Sequence, residues 1–238
     1  MSFLLKIFYL VRGFLFPCDC ALCAGSLISA GEMRIGLCGR CKASFKLETG
    51  RRCNLCGMPL ISERENCLSC RNGAQHSYDR LWVLFPYTGV YRKLLSAYKF
   101  EKNLALADFL AEKVWEVIDA EPELKGACIV PVPPRPGKIK SSGWDQIDFL
   151  VKRMEKFRKE GLDVRRCLKR SKSNVQKRLS RTQRVENLRG RIALQGQAPV
   201  TALVIDDVIT TGSTMEVCSA SLKEGGSKKV YGLCLFYD

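Results

Sequence analysis

The segment Leu203-Val204-Ile205-Asp206-Asp207-Val208-Ile209-Thr210-Thr211-Gly212-Ser213-Thr214 runs from apolar residues through two adjacent carboxylates into a loop rich in hydroxyls. The apolar run reads as a buried strand, and Ser213–Glu224 reads as a helix stopped by Gly225-Gly226. The loop therefore falls where a parallel strand hands over to a helix. Its amides and the first helical N–H groups converge on one spot suited to phosphate. Gly212 lets a ligand approach the backbone, and Thr210, Thr211, Ser213 and Thr214 add hydroxyl donors. Asp206 and Asp207 at the strand end suit sugar hydroxyls better than phosphate. The plainer reading is a strand terminator followed by a helix cap.

A second set of reactive side chains lies near the N-terminus. Nine of the thirteen cysteines fall between residues 18 and 70, and eight of them form four C-x-x-C knuckles: Cys20/Cys23, Cys38/Cys41, Cys53/Cys56 and Cys67/Cys70. Two thiolates three positions apart on a tight turn reach one tetrahedral zinc, and a second knuckle closes the shell. Four knuckles make two structural sites. Pairing of successive knuckles and a cross-braced pairing share this spacing, and Cys18 could substitute in the first site. His76, the single histidine, follows the array as a bystander more often than as a ligand. Cys128, Cys167, Cys218 and Cys234 sit in apolar runs and behave there as small hydrophobes.

After Tyr78 the pattern changes to short strands alternating with helices, which predicts a largely parallel sheet covered by helices on both faces. Strands are expected at Leu81–Pro86, Ala127–Val132, Arg191–Leu194, Ala202–Ile205 and Lys229–Phe236. Helices are expected at Tyr91–Phe100, Ala105–Ile118, Asp145–Lys159 and Ser213–Glu224. The expected organisation is an amphipathic helix over 1–17, a double zinc ribbon over 18–77 and an α/β domain over 78–238. Lys6 and Arg12 interrupt the apolar N-terminus, so stable membrane insertion is not expected; no small-residue cleavage site follows, and the expected location is the cytoplasm. The helix offers its apolar face to its own protein or to a homodimer mate, the alternative being contact with a membrane surface or a partner.

The formal charge of +15 favours polyanionic partners. Between Arg165 and Arg191 stand eleven Lys/Arg residues and one acid, Glu186. Lys169, Arg170, Lys172, Lys177, Arg178, Arg181 and Arg184 could neutralise several nucleic-acid phosphates. No aromatic residue interleaves with them, which disfavours sequence-specific reading of a single strand.

The Asp206–Thr214 string resembles the signature with which type I phosphoribosyltransferases bind 5-phosphoribosyl 1-pyrophosphate (PRPP). There, two acids contact the ribose hydroxyls and the following loop wraps the 5-phosphate. With the knuckles, Tyr98-Lys99-Phe100, Val130-Pro131-Val132-Pro133, Gly143-Trp144-Asp145-Gln146 and the stretch from Arg170 through Gln176 to Asn187 and Gly190, nearly the whole chain resembles the ComF family of competence proteins. The resemblance implies a type I phosphoribosyltransferase fold, Mg²⁺ arriving with PRPP, and a pyrophosphate loop formed by Pro131, Val132 and Arg135. It also implies a role in DNA uptake, with single-stranded DNA and a helicase or processing protein as partners. The basic stretch then serves DNA, or forms a hood whose cations serve the pyrophosphate. The family's turn usually reads Arg-Gly-Phe-Asn-Gln; here Ser142, Trp144 and Asp145 replace its Arg, Phe and Asn, and phosphate contacts from that turn are not carried over. If the chain is an enzyme, Asp206 and Asp207 steady an oxocarbenium-like sugar as an acceptor displaces pyrophosphate.

Overall fold

Four strands are buried along most of their length, and their two faces support two separate cores. The computed structural model describes residues 18–47, 52–60, 65–158, 162–171 and 190–238. The expected N-terminal helix lies outside these residues, as do Lys172, Lys177, Arg178, Arg181 and Arg184. Strands β1 (Arg80–Pro86), β2 (Cys128–Pro131), β5 (Thr201–Ile209) and β6 (Lys229–Tyr237) form one sheet in the order β1-β6-β5-β2, with every pairing parallel.

Successive strand residues point to opposite faces. On the first face Trp82, Leu84, Ile129, Leu203, Ile205, Leu233 and Leu235 join one core, shared with α4 (Gly89–Lys99), α5 (Leu106–Ala120) and α7 (Gln146–Phe157). On the second face Leu81, Val83, Val130, Ala202, Val204 and Val230 pack with Met215, Cys218 and Leu222 of α8 (Ser213–Glu224). Cys128, Cys167, Cys218 and Cys234 are buried members of that second core.

The expected strand at Arg191–Leu194 forms over Ile192–Leu194, but outside the parallel sheet. As β4 it pairs antiparallel with β3 (Leu168–Arg170). Three residues with one buried side chain, Ile192, provide only a hairpin edge for α8. The strand bearing the carboxylates also continues through Asp206 and Asp207 to Ile209, because Val208 and Ile209 pair with Phe236 and Tyr237 of a β6 of equal length.

Both cysteine segments pack on this body. The first carries α1 (Ala30–Ile35) and α2 (Gly39–Ser44); the second carries α3 (Leu68–Arg71). Ser29 and Glu32 form a capping box at the start of α1, and Gly36 ends it at φ 71°, a backbone angle that favours glycine. Leu27, Ile35, Leu37 and Phe45 enter the first core. No helix among the described residues is long and apolar enough to cross a membrane.

Candidate phosphate cleft and paired cysteine tetrads

Because Asp206 and Asp207 are consecutive strand residues, they leave β5 on opposite faces. Asp207 turns toward the first face, where Lys99 Nζ lies 2.5 Å and Gln146 Nε2 lies 2.6 Å from its Oδ2, and Val208 N–H donates to Oδ1 at 2.8 Å. Burial works against its ionisation, yet the Lys99 charge and these hydrogen bonds hold its carboxyl below the usual range. Asp206 goes the other way. Burial, then the neighbouring Asp207 charge, push it well above the usual carboxylate range. The surroundings thus bias the two carboxyls apart, Asp207 toward its charged form and Asp206 toward its neutral form.

Two segments singled out in the sequence meet here. Tyr98, at the end of α4, is fully buried and donates its hydroxyl to the Gln146 carbonyl at 2.6 Å, while its ring meets Trp144 edge-on at 5.3 Å. Asp145 caps α7, accepting from the N–H groups of Ile147 and Asp148 at 3.0 Å each. Lys138 Nζ lies 2.7 Å from Asp145 Oδ2 and also contacts Gln146. Aspartate in place of the family's asparagine keeps the helix cap and adds a charged partner for Lys138. Lys99, Lys138 and Asp145 were given no role by sequence reasoning. A lysine closing an amphipathic helix in the quoted Tyr98-Lys99-Phe100 string was the available signal for the first; Lys138, on the short helix α6 (Lys138–Ser142), had none.

The carboxylates floor a cleft of about 800 Å³. One wall is the phosphate-type loop, represented by Thr210 and Thr214; the other is the turn from Val132 through Arg135 to Lys138, with Arg170 also lining the space. Pro131 is buried in β2 opposite Ile205 and aims this turn without lining the cleft itself. Around the loop Thr210, Thr211, Gly212, Ser213 and Thr214 enclose a small cup of about 40 Å³ with Asp206 at its base. Gly212 stands at φ 74°, and the Thr211 and Ser213 hydroxyls are 2.8 Å apart. Burial, then the charges of Arg135 and Arg191, hold the half-buried Arg170 below its ordinary range, against Cys218 and Asp206. Among the described residues no salt bridge neutralises Arg170. Lys169 is exposed beside it on β3. The groove thus sets cations on one wall against hydroxyls and loop amides on the other, a lining suited to an anionic ligand.

The eight knuckle cysteines resolve into Cys20/Cys23/Cys38/Cys41 and Cys53/Cys56/Cys67/Cys70, with the sulfurs of each set within 4.8 Å of one another. This is the pairing of successive knuckles, and Cys18 belongs to neither set. Sulfur separations of 3.7 Å (Cys23–Cys38) and 3.6 Å (Cys56–Cys67) match the edge of about 3.8 Å that a tetrahedron with Zn–S near 2.3 Å requires. Both sets could hold zinc.

Their thiols are polarised unevenly. Cys23 is lowered to about 6, chiefly by the Gly25 N–H. Cys53, against its burial, is brought to about 7 by the N–H groups of Cys56, Cys67 and Leu55. Burial raises Cys41 and Cys70 far above the thiol range and Cys56 to about 12. A metal would therefore have to displace protons from the raised thiols on binding. His76 is close to the second set, with Nε2 3.4 Å from Cys70 Sγ and its ring stacked on Tyr78 at 4.7 Å.

The fold and these sites define a parallel α/β protein with a cation-lined cleft at the carboxyl end of its strands and two cysteine tetrads. No family model matches the chain. It is 27% identical over 223 residues to "Competence protein F" of Haemophilus influenzae, covering 89% of this chain and 93% of that protein. It is 27% identical over 199 residues to "Competence protein ComFC" of Streptococcus pneumoniae (82% and 84%), and 25% identical over 220 residues to "DNA utilization protein YhgH" of Escherichia coli (84% and 96%). Along most of its length, then, the chain is similar to proteins named for competence and DNA utilization.

Proposed function

We propose that this chain is a PRPP-binding protein that acts in DNA uptake, handling single-stranded DNA in the cytoplasm. One observation carries the reading: the Asp206–Asp207 pair runs into the Thr210–Thr214 cup on the floor of a cleft whose facing wall presents Arg135, Lys138 and Arg170. In this reading the 5-phosphate occupies the cup, where hydroxyls and helix-terminal amides donate to it. The ribose diol donates to the Asp207 carboxylate and bonds to Asp206. The pyrophosphate lies against the Arg135 wall, where Mg²⁺ would accompany it. Relatives named for competence and for DNA utilization support the pathway. Lys169 and Arg170 begin the basic run at the cleft, and with Lys172, Lys177, Arg178, Arg181 and Arg184 they are the proposed strand-binding cations.

A second reading, an active transferase, is favoured by Phe100. Its ring lines the cleft while 67% exposed, next to the Lys99–Asp207 pair, and so offers a flat apolar surface to a second reactant. In that case the bond from the anomeric carbon to pyrophosphate breaks as the acceptor's bond forms, and the acceptor's proton leaves to solvent.

Calorimetry with PRPP and Mg²⁺ tests the proposal. The native protein should bind and the Asp206→Asn/Asp207→Asn variant should lose at least about tenfold in affinity, the scale of one charged hydrogen bond. A single-stranded oligonucleotide titrated in parallel should bind with a steep salt dependence. Absence of PRPP binding, or equal affinity in the two proteins, overturns the reading.

A further inference from the structure

Glu216 stands in the first turn of α8, directly after the phosphate-type loop, and its backbone N–H donates to the Gly212 carbonyl at 2.8 Å. Its carboxylate is bonded away from the cleft, to the segment leaving the second tetrad. Ser77 donates to it through the backbone N–H at 3.0 and 3.1 Å and through Oγ at 2.5 Å. His76 Nδ1 lies 3.9 Å from the same carboxylate, and the other ring nitrogen lies 3.4 Å from Cys70 Sγ. With side-chain exposures of 7% for His76 and 18% for Glu216, these contacts are shielded from water, where hydrogen bonds to a charged group are strongest. The histidine ring is fixed further by stacking on Tyr78, itself buried. A continuous series of contacts thus leads from a metal-ligating sulfur to the backbone of the loop.

A second observation agrees. Cys56, Cys67 and Cys70 line the same cavity of about 350 Å³ as Thr210, Thr211 and Gly212, so the loop has the cleft on one side and the tetrad on the other. The first tetrad has no such position. Its segment packs on α4 and α5 in the core of the opposite sheet face.

We propose that His76 and Glu216 are positioning residues that make the second tetrad part of the phosphate site: metal held by Cys53, Cys56, Cys67 and Cys70 orders the Thr210–Thr214 loop, and metal in the first tetrad does not. Groups around a metal's ligands orient and tune the site, and here the same contacts run outward to a neighbouring loop. The proposal rests on the phosphate reading of that loop, but the loop's order can be measured without PRPP.

The test is amide hydrogen exchange at residues 210–214 in the zinc-loaded full chain, with zinc content followed in each sample. Cys70→Ser should speed exchange there by tenfold or more and Cys23→Ser should leave it unchanged, the contrast expected when one charged hydrogen bond is lost on one side only. Glu216→Gln keeps all eight knuckle thiols; it should retain two zinc ions yet speed exchange by about tenfold. Native exchange rates in Glu216→Gln, or equal effects of Cys23→Ser and Cys70→Ser, overturn the proposal. PRPP affinity measured on the same samples keeps the two readings apart. A native protein that fails to bind PRPP removes the phosphate reading while the exchange result still decides the coupling, and PRPP binding with unchanged exchange removes the coupling alone.

Discussion

The two cysteine segments are built alike and docked differently. In each, the N–H of the first cysteine donates to the carbonyl five residues on (Cys20 to Gly25, Cys53 to Met58, both 2.8 Å), and an N–H four residues on donates back at 3.0 Å (Ala24 to Cys20, Gly57 to Cys53). The first knuckle of each segment is also closed by an isolated antiparallel bridge, Asp19–Ser26 or Arg52–Pro59. The first segment then sends Phe45, 2% exposed, into the rings of Phe85, Tyr91 and Phe109, and pairs Arg34 and Lys42 with Glu112 on α5. The second is attached by hydrogen bonds and a cation–ring contact, including those of Ser77 to Glu216. Leu81 N–H donates to the Leu55 carbonyl at 3.0 Å, and Arg52 lies over the Tyr237 ring. The same cysteine element is thus joined to the body by side-chain burial in one core and by polar contacts at the strand edge and α8 in the other case. The first attachment is bound up with global stability, the second with the order of the nearby loop.

The largest expected effect tests the first half of that contrast. Phe45→Ala should destabilise the whole protein by about 3–5 kcal/mol in denaturant melts, the usual loss for a buried aromatic. A shift of under about 1 kcal/mol would mean that the first segment is an appendage like the second.

A smaller and more local loss is expected at Gly57. A Cβ there would lie 2.6 Å from the Leu81 carbonyl oxygen, so Gly57→Ala must push the Cys53/Cys56 knuckle off β1. The expected loss is about 1–3 kcal/mol, read as faster zinc release from the second tetrad under chelator while the first keeps its ion. Equal release from both would erase the distinction.

The smallest effect comes from the matching position in the other knuckle. Ala24 has φ 55°, close to the 68° of Gly57, and is exposed. The turn therefore tolerates a Cβ, and glycine at 57 answers to the Leu81 carbonyl rather than to the backbone angle. Ala24→Gly relieves a left-handed alanine and should gain about 1 kcal/mol in the melting of the first segment. A loss there would show that the side chain makes a contact of its own.

Much of this was legible in the sequence, for identifiable reasons. Cysteine spacing marks zinc because the metal dictates it, and the Asp206–Thr214 string is local, so strand, loop and helix N-terminus were readable from consecutive residues. The parallel sheet followed from apolar runs separated by helices. The hairpin was not legible, since Leu168–Arg170 lies within a charge run and Ile192–Leu194 has the composition of any short strand. Lys99, Lys138 and Glu216 escaped notice because their partners lie 108, 8 and 139 residues away in sequence; the first and third meet theirs only through sheet order, and the second through a turn whose shape no motif announces. The split between Asp206 and Asp207 was equally hidden: two identical letters differ only in which face of the strand each occupies.

That split bears on how occupancy of the cleft is felt elsewhere. A molecule holding both carboxylates would act as a rivet through the end of β5, gripping one hydrophobic core through Asp207 and the other through Asp206. Sliding or twisting of either layer against the other would then be resisted at one point. Binding at that point could be sensed by a reporter placed on either side of the sheet, including the sides where the two cysteine segments are mounted.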